Sequence, residues 1–311
     1  MTTKPLIIYH DLCADGFGAA WAIWKVLGYE GADYLGTTHG NPPPDVTGRD
    51  VVIVDFSFKR DTIISIATNA KSVLILDHHK TAKEDLQLFA KEPNPVDNWD
   101  YWFFHNKVNS YDTASASDFN NTLAIFNMDK SGAVLAWEFF HPNKPVPKLL
   151  RHVQDRDLWL FKLNGTKELQ FVVFSHPYDF EIWDQLAKDV EDEFKFADIL
   201  EQGVAIERKH LKDIKELLSV AAHPQTIGGC LVLTANLPYT MASDACNILC
   251  KDYDSKPFSA TYFDRADGQR VFSLRSVGDF DVSAVAKLYG GGGHKNAAGF
   301  SVPIVGESDH L

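Results

Sequence analysis

The chain lacks paired cysteines, a surplus of positive charge and any hydrophobic run long enough to span a membrane. Its four cysteines among 311 residues, Cys13, Cys230, Cys246 and Cys250, are too few and too scattered for a disulfide framework. Cys246 and Cys250 stand four apart, which fits two buried thiols on one helix face rather than a zinc-type CxxC pair. Lysine and arginine number 30 against 42 acidic residues, a formal charge of −12. A protein that grips long nucleic acid by its phosphates carries a basic face. No part of this chain has a basic surplus, so an anionic partner must be held by a few placed cations or by bound metals. No apolar stretch approaches the roughly 20 residues of a membrane helix, and the N-terminal MTTKPLIIYH is not built as a signal peptide. The expectation is a cytoplasmic protein with no membrane partner. Internal repeats and low-complexity tracts are missing too.

What is present is ordinary globular composition, 45% hydrophobic and 23% charged, at a length that suits two domains. Leu6-Ile7-Ile8-Tyr9, Val51-Val52-Ile53-Val54 and Val73-Leu74-Ile75-Leu76 read as buried strands. Helical patterns at 16–27 and 60–70 separate them. Continuous apolar strands alternating with helices predict a parallel sheet covered on both faces. Residues 93–122, rich in aromatics, Asn and Ser, read as an irregular insertion or lid. Ser131 reads as the N-cap of a helix over GAVLAWEFF, and residues 145–160 as another helix. Residues 181–220 are acidic and helical in period. From Ile227 short strands return, with a helix near 282–289 and a Gly290–Gly293 loop. The predicted fold is α/β throughout: an N-terminal parallel-sheet domain (1–165), a helical connector (166–224) and a smaller C-terminal α/β domain (225–311).

In open parallel sheets, ligands gather beyond the carboxyl ends of the strands. All three N-terminal strands end in polar residues: His10-Asp11, Asp55, and Asp77-His78-His79. Together with Asp15 they converge on one edge, where like charges repel unless a cation is bound. Each acid alone is most simply a helix cap or loop carboxylate; several at neighbouring strand ends point to metal. Hard ions such as Mn²⁺ or Mg²⁺ take carboxylate oxygens, and Mn²⁺ also accepts imidazole. A pair of ions suits phosphoryl hydrolysis.

HDLCADG after LIIY, the isolated Asp after VVIV and DHH after VLIL together resemble the DHH phosphoesterase superfamily. The FSLRS of residues 272–276 and the GGGGHKNAAGF of residues 290–300 resemble its DHH-associated C-terminal domain. The resemblance covers essentially the whole chain, least surely at 93–122. It implies two divalent metal ions, manganese first with magnesium or another divalent ion as alternatives, and an active site in the cleft between the domains. Metal ligands fall on His10, Asp11, Cys13, Asp15, Asp55, His78 and Asp155. His10 and Asp11 are alternatives for the upstream position, and Asp157 is the alternative to Asp155. Cys13 stands where relatives usually carry Asp, and a thiolate is softer. Asp77 and His79 take the catalytic roles, with His79 facing the substrate phosphate. Arg275, Gly291, Gly292, Gly293 and His294 bind substrate.

The implied activity is metal-dependent hydrolysis of phosphate esters in small nucleotides or short oligonucleotides, of the nanoRNase or nucleoside bisphosphate phosphatase type. A polyphosphate or pyrophosphate phosphatase and a non-catalytic nucleotide binder are the rival readings, the second favoured only by Cys13. Partners are a small phosphorylated substrate or short oligonucleotide, not long nucleic acid; a homodimer is left open.

Overall fold

Three apolar runs form the middle of a six-stranded parallel sheet, because strands buried on both faces tolerate almost no polar residue. The computed structural model describes residues 4–91 and 121–304. Among these, β1 (Leu6–His10), β2 (Asp33–Thr37), β3 (Asp50–Val54), β4 (Ser72–Asp77), β5 (Ala90–Lys91) and β6 (Thr122–Phe126) lie in the order β2-β1-β3-β4-β6-β5, every pair parallel. The predicted insertion at 93–122 falls outside the described residues except for Asn121 and Thr122, and Thr122 opens β6.

Side chains alternate between two cores, as strand geometry requires. Ile7, Val52, Val54, Leu74 and Leu76 face one cluster; Ile8, Val51, Ile53, Val73 and Ile75 face the other. The first cluster is covered by α1 (Ala14–Gly31), α4 (Gly132–Phe140), α5 (Lys148–Asp157), α6 (Thr166–Ser175) and α7 (Phe180–Glu191), the second by α2 (Arg60–Asn69) and α3 (Lys80–Asp85). Truncating one of these buried strand residues, Ile53→Ala for example, costs about 2–5 kcal/mol. From β1 the chain turns outward to β2, then crosses back to β3 on β1's other side. That reversal is the topological switch point where such sheets bind ligands, and the ends of β1, β3 and β4 surround it.

The chain divides into two compact units, Met1–Ile206 and Glu207–Leu311. Residues 166–206, expected to belong to a connector, fall in the first unit. Leu169, Val172, Val173, Trp183 and Val190 are all buried in its core. The stretch of helical period over 181–220 is two helices, α7 and α8 (Glu193–Ala221). Among the described residues no helix is long and apolar enough to cross a membrane.

The second unit holds a mixed sheet of β7 (His223–Ile227), β8 (Cys230–Asn236), β9 (Ser259–Asp264), β10 (Gln269–Arg275), β11 (Gly292–His294) and β12 (Ala297–Pro303), ordered β11-β12-β10-β9-β8-β7. Only β8 and β9 run parallel. One face packs α10 (Val282–Leu288) against Phe272, Leu274, Ala298 and Phe300. On the opposite face α9 (Ala242–Lys251) lays Cys246 on Thr261 and Cys250 on Ser259, at 3.7 and 3.2 Å. Both thiols are buried, as their four-residue spacing predicts.

Candidate metal centre

The site begins with the strand ends. His10 closes β1, Asp55 follows β3 at a φ of 51°, and Asp77 closes β4 with His78 behind it. Left-handed backbone at a non-glycine residue is strained. At Asp55 it turns the carboxylate back over the sheet edge, while the Asp55 N–H still donates to Leu76 O at 3.0 Å.

Asp55 sits between two groups of candidate ligands. Its Oδ1 lies 3.0 Å from His78 Nε2. Its Oδ2 lies 3.7 Å from His10 Nδ1 and accepts the Cys13 thiol at 3.8 Å. One group is therefore His10, Cys13 and Asp55, another Asp15, Asp55 and His78, and Asp55 also meets Asp77 and His79, each set with ligand atoms within 4.8 Å of one another. His78 Nε2 is also 3.5 Å from Asp15 Oδ2 and 3.7 Å from Asp157 Oδ2.

A single ring nitrogen cannot satisfy three carboxylates. Burial, then the charges of Asp55 and Asp157, push the Asp15 carboxyl well above its usual range. Burial also pushes up Asp157. The Cys13 thiol rises well above its ordinary value through burial and the neighbouring Asp55 and Asp15 charges. For Asp55, burial opposes ionisation but the His10 and His78 hydrogen bonds outweigh it, and its carboxyl falls well below the usual range. Against the desolvation of its ring, hydrogen bonding to Asp55 and the surrounding acids raise His78 well above the ordinary imidazole value. Burial and mutual repulsion thus favour protons on Asp15, Asp157 and Cys13. Divalent cations would displace them, which is the expected behaviour of a carboxylate and imidazole donor set.

The supporting residues come from distant segments. Asp15 accepts from the backbone N–H groups of Gly132 and Ala133, at 2.5 and 3.0 Å, so the start of α4 fixes it. Ser131 caps that helix, accepting from Val134 N, as predicted. Asp77 is fully buried. Its Oδ2 accepts from Ser57 Oγ at 2.6 Å, and its Oδ1 from His78 N and His79 Nδ1 at 2.7 and 2.6 Å. Although burial opposes it, the His79 charge and these bonds bring the Asp77 carboxyl down to about 2. An ionised Asp77 thus orients His79, whose ring remains about one-fifth exposed.

The structure separates the members of two pairs of alternatives. Asp155 is not at the cluster. Its carboxylate accepts from Lys162 N, Leu163 N and Thr166 Oγ1, at 2.8, 3.0 and 2.6 Å, and so pins the loop after α5. Asp157, the alternative, is the acid beside His78. Asp11 lies over β2, where a Cβ on Gly36 would meet its Cγ at 2.8 Å, and accepts from Leu12 N. It belongs to none of the candidate ligand groups among the described residues, whereas His10 does. Sequence reasoning also passed over His39, whose ring centre lies 5.8 Å from His10. The signal was positional: β2 runs parallel beside β1, so residues just past Thr37 arrive at the same edge.

In the second unit, Arg275 on β10 and His294 on β11 both pair with Ala297 on β12. Directly paired residues share a face, so Arg275 and His294 flank Ala297 in one row, with Ser273, Gly299 and Gly292 in the next. Arg275 is steadied by its Nη2, which donates to Ser243 Oγ at 2.8 Å. The glycines have a packing role. A Cβ on Gly291 would stand 2.1 Å from Gly299 O, and one on Gly293 2.5 Å from Ala297 O, so both let β11 reach β12.

Residues 228–310 match the DHHA1 domain. Uncharacterized protein R106 of Acanthamoeba polyphaga mimivirus is 30% identical over 314 residues, which span 95% of this chain and 67% of R106. Among solved structures, an uncharacterized protein from Helicobacter pylori G27 is 12% identical over 96% of this chain and 93% of its own, with a TM-score of 0.41. The pGpG-specific phosphodiesterase PggH from Vibrio cholerae is 15% identical over 97% and 94%, TM-score 0.44. RecJ from Thermus thermophilus, in complex with Mg²⁺, is 13% identical over 96% of this chain but 47% of its own, TM-score 0.37.

Proposed function

The chain belongs to one family with mimivirus R106 and carries a DHHA1 domain over residues 228–310, and on that premise we propose that it is a DHH-type phosphohydrolase, cleaving phosphate esters of small nucleotides or short oligonucleotides with the help of divalent metal ions. The observation that carries this reading is Asp55, shared between two groups of potential ligands, one carboxylate oxygen turned to each. Asp15, Asp157 and His78 would complete one metal site, and His10 and Cys13 the other. Mn²⁺ suits this mixture of carboxylate and imidazole; Cys13 adds a softer donor. When bound, such ions supply Lewis acidity toward phosphoryl oxygens and lower the pKa of water.

The residues of the chain have their own tasks. Asp77, ionised and locked by Ser57, fixes His79 with Nδ1 as the donor to Asp77, so the imidazole is oriented before substrate arrives. His79 would donate a hydrogen bond to the phosphate. That bond strengthens as charge accumulates on the phosphoryl oxygens in the transition state. In the second unit Arg275 and His294, in one row on one face, would form an anion-binding pair of their own, Arg275 through a bidentate contact. Hydrolysis joins a water oxygen to phosphorus and breaks the ester bond, and the leaving oxygen takes up a proton. The net charge of −12 supports a small substrate held locally over a long polyanion held along a groove.

The test is a substrate panel with Mn²⁺ or Mg²⁺: a dinucleotide, a nucleoside bisphosphate, a cyclic dinucleotide, polyphosphate and a long single strand. Cleavage of the dinucleotide or bisphosphate, abolished by Asp55→Asn, is the expected result. Cleavage of polyphosphate alone would replace the nucleotide reading with the inorganic one. Tight nucleotide binding without any turnover would make the chain a binding protein.

A further inference from the structure

Asp157, beside His78, is the last residue of α5, and the chain that follows is tied into a small knot around Asp155. The Asp155 carbonyl accepts from Leu160 N and Phe161 N, at 2.9 and 3.2 Å, while its carboxylate takes Lys162 N, Leu163 N and Thr166 Oγ1. Inside this loop Trp159 and Phe161 adopt φ values of 58° and 50°. Left-handed backbone costs a bulky residue on the order of 1–2 kcal/mol. Of the six described non-glycine residues with positive φ, four (Leu12, Asp55, Trp159 and Phe161) lie in the segments that build or adjoin the candidate metal cluster, and Asn143 and Asp254 lie outside them. The strain is concentrated where ligand would bind, and backbone strain of this kind collects at ligand clamps and active sites.

What this strain achieves is the display of an indole. Trp159 is 39% exposed and its neighbour Leu160 45%. The Arg156 guanidinium sits over the Trp159 ring at 4.1 Å from its centre, and Phe161 meets the ring edge-on at 5.1 Å and 81°. Among the described residues the indole has no further aromatic or cationic partner. One face is thus backed by a cation and the ring is braced by a second aromatic, while more than a third of the residue stays open to solvent. Trp159 follows Asp157 with a single residue between them, so their Cα atoms lie no more than about 7 Å apart. An exposed ring carried two residues past Asp157 is a candidate to meet the base of a nucleotide whose phosphate would lie at that cluster.

We propose that Trp159, backed by Arg156 and braced by Phe161, is the platform on which the nucleobase of the substrate stacks. The proposal rests on the phosphohydrolase reading only for the placing of the phosphate; the stacking itself is a matter of binding. Stacking recognises the π-face common to all bases, so this platform selects nucleotides over sugar phosphates and polyphosphate with little preference among bases.

The experiment is calorimetric binding of adenosine 5′-phosphate and of ribose 5-phosphate to the Mn²⁺-loaded full chain. Dinucleotide hydrolysis, followed separately, reports on the phosphohydrolase reading alone. Wild type should bind the adenylate between about fivefold and a hundredfold more tightly than the sugar phosphate, the span of one base stacked on an aromatic ring. Trp159→Ala should erase most of that preference and leave ribose 5-phosphate binding unchanged; Trp159→Phe should keep most of it. The platform is ruled out if wild type shows no preference, if Trp159→Ala retains it, or if Trp159→Ala weakens both ligands equally, since the last outcome marks a structural role.

Discussion

A β-carbon at Gly132 would stand 2.5 Å from the Cβ of Asp55 and 2.7 Å from its Oδ1. The start of α4 therefore comes down directly on the carboxylate shared by the two ligand groups, at the same place where its N–H groups hold Asp15. Only glycine permits both contacts. Gly132→Ala must either lift the helix off Asp15 or displace Asp55. Overpacking of this kind costs about 1–3 kcal/mol, and misplacing a ligand lowers metal affinity by about tenfold or more. Thermal unfolding and Mn²⁺ titration of the variant should show both losses; unchanged Mn²⁺ affinity would mean that the helix retreats without consequence for the site.

Asp155 and Asp157 are two residues apart and should respond in opposite ways. Asp155→Asn weakens three hydrogen bonds that close the loop after α5, two to backbone N–H groups and one to Thr166. A loss of about 2–3 kcal/mol is expected, with Mn²⁺ binding retained by the folded protein. Asp157→Asn removes a carboxylate that burial and the Asp55 charge already push toward protonation. Without metal its stability should hold or rise, while Mn²⁺ affinity and turnover collapse. Urea denaturation and metal titration of the two variants separate these outcomes, and the reverse pattern would return Asp155 to the ligand set.

His152 gives the first unit a pH dependence away from the cluster. Thr166 has one hydroxyl hydrogen, and it donates that to Asp155 at 2.6 Å. It must then accept from His152 Nδ1, 2.8 Å away, so Nδ1 carries a proton, and burial disfavours a second one on the ring. Burial, then the Lys148 charge, bring its pKa from 6.5 down to about 4. Between those two values the unfolded chain binds a proton that the folded chain refuses. The contribution is complete above pH ~6.5 and is lost as pH falls toward ~4, up to about 3 kcal/mol in all. Urea unfolding across that window should show the slope, and His152→Gln should flatten it.

Much of the site could be read from the chain because parallel strands announce themselves. LIIY, VVIV and VLIL are apolar without interruption, so the first polar residue after each must lie at the sheet edge. Pattern alone therefore places His10, Asp55, Asp77, His78 and His79. The choice between Asp155 and Asp157 could not be read the same way. Both end one helix, and what distinguishes them is the return of residues 158–166 onto Asp155, a tertiary event. The first-unit helices over 166–191 were obscured for another reason. Their charge is conspicuous, but Phe180, Trp183, Ala187 and Val190 recur at helical spacing and are buried, and that apolar stripe decides where α7 packs. The glycines of 290–293 read in the sequence as an anion-binding loop, while the structure gives Gly291 and Gly293 a strand-packing role, and sequence alone does not separate the two.

The hydrogen bonds from Gly132 and Ala133 to Asp15 span 117 and 118 residues of chain. Asp15 is made early in synthesis and its anchor much later, with Asp157 later still. A nascent chain that has released only its first strands therefore exposes acids with nothing to hold them at the distances a metal requires. Metal capture by this cluster would have to wait until Asp157 has emerged. Once bound, an ion joins segments from both ends of the first unit, so it stabilises the whole unit against unfolding rather than any one loop.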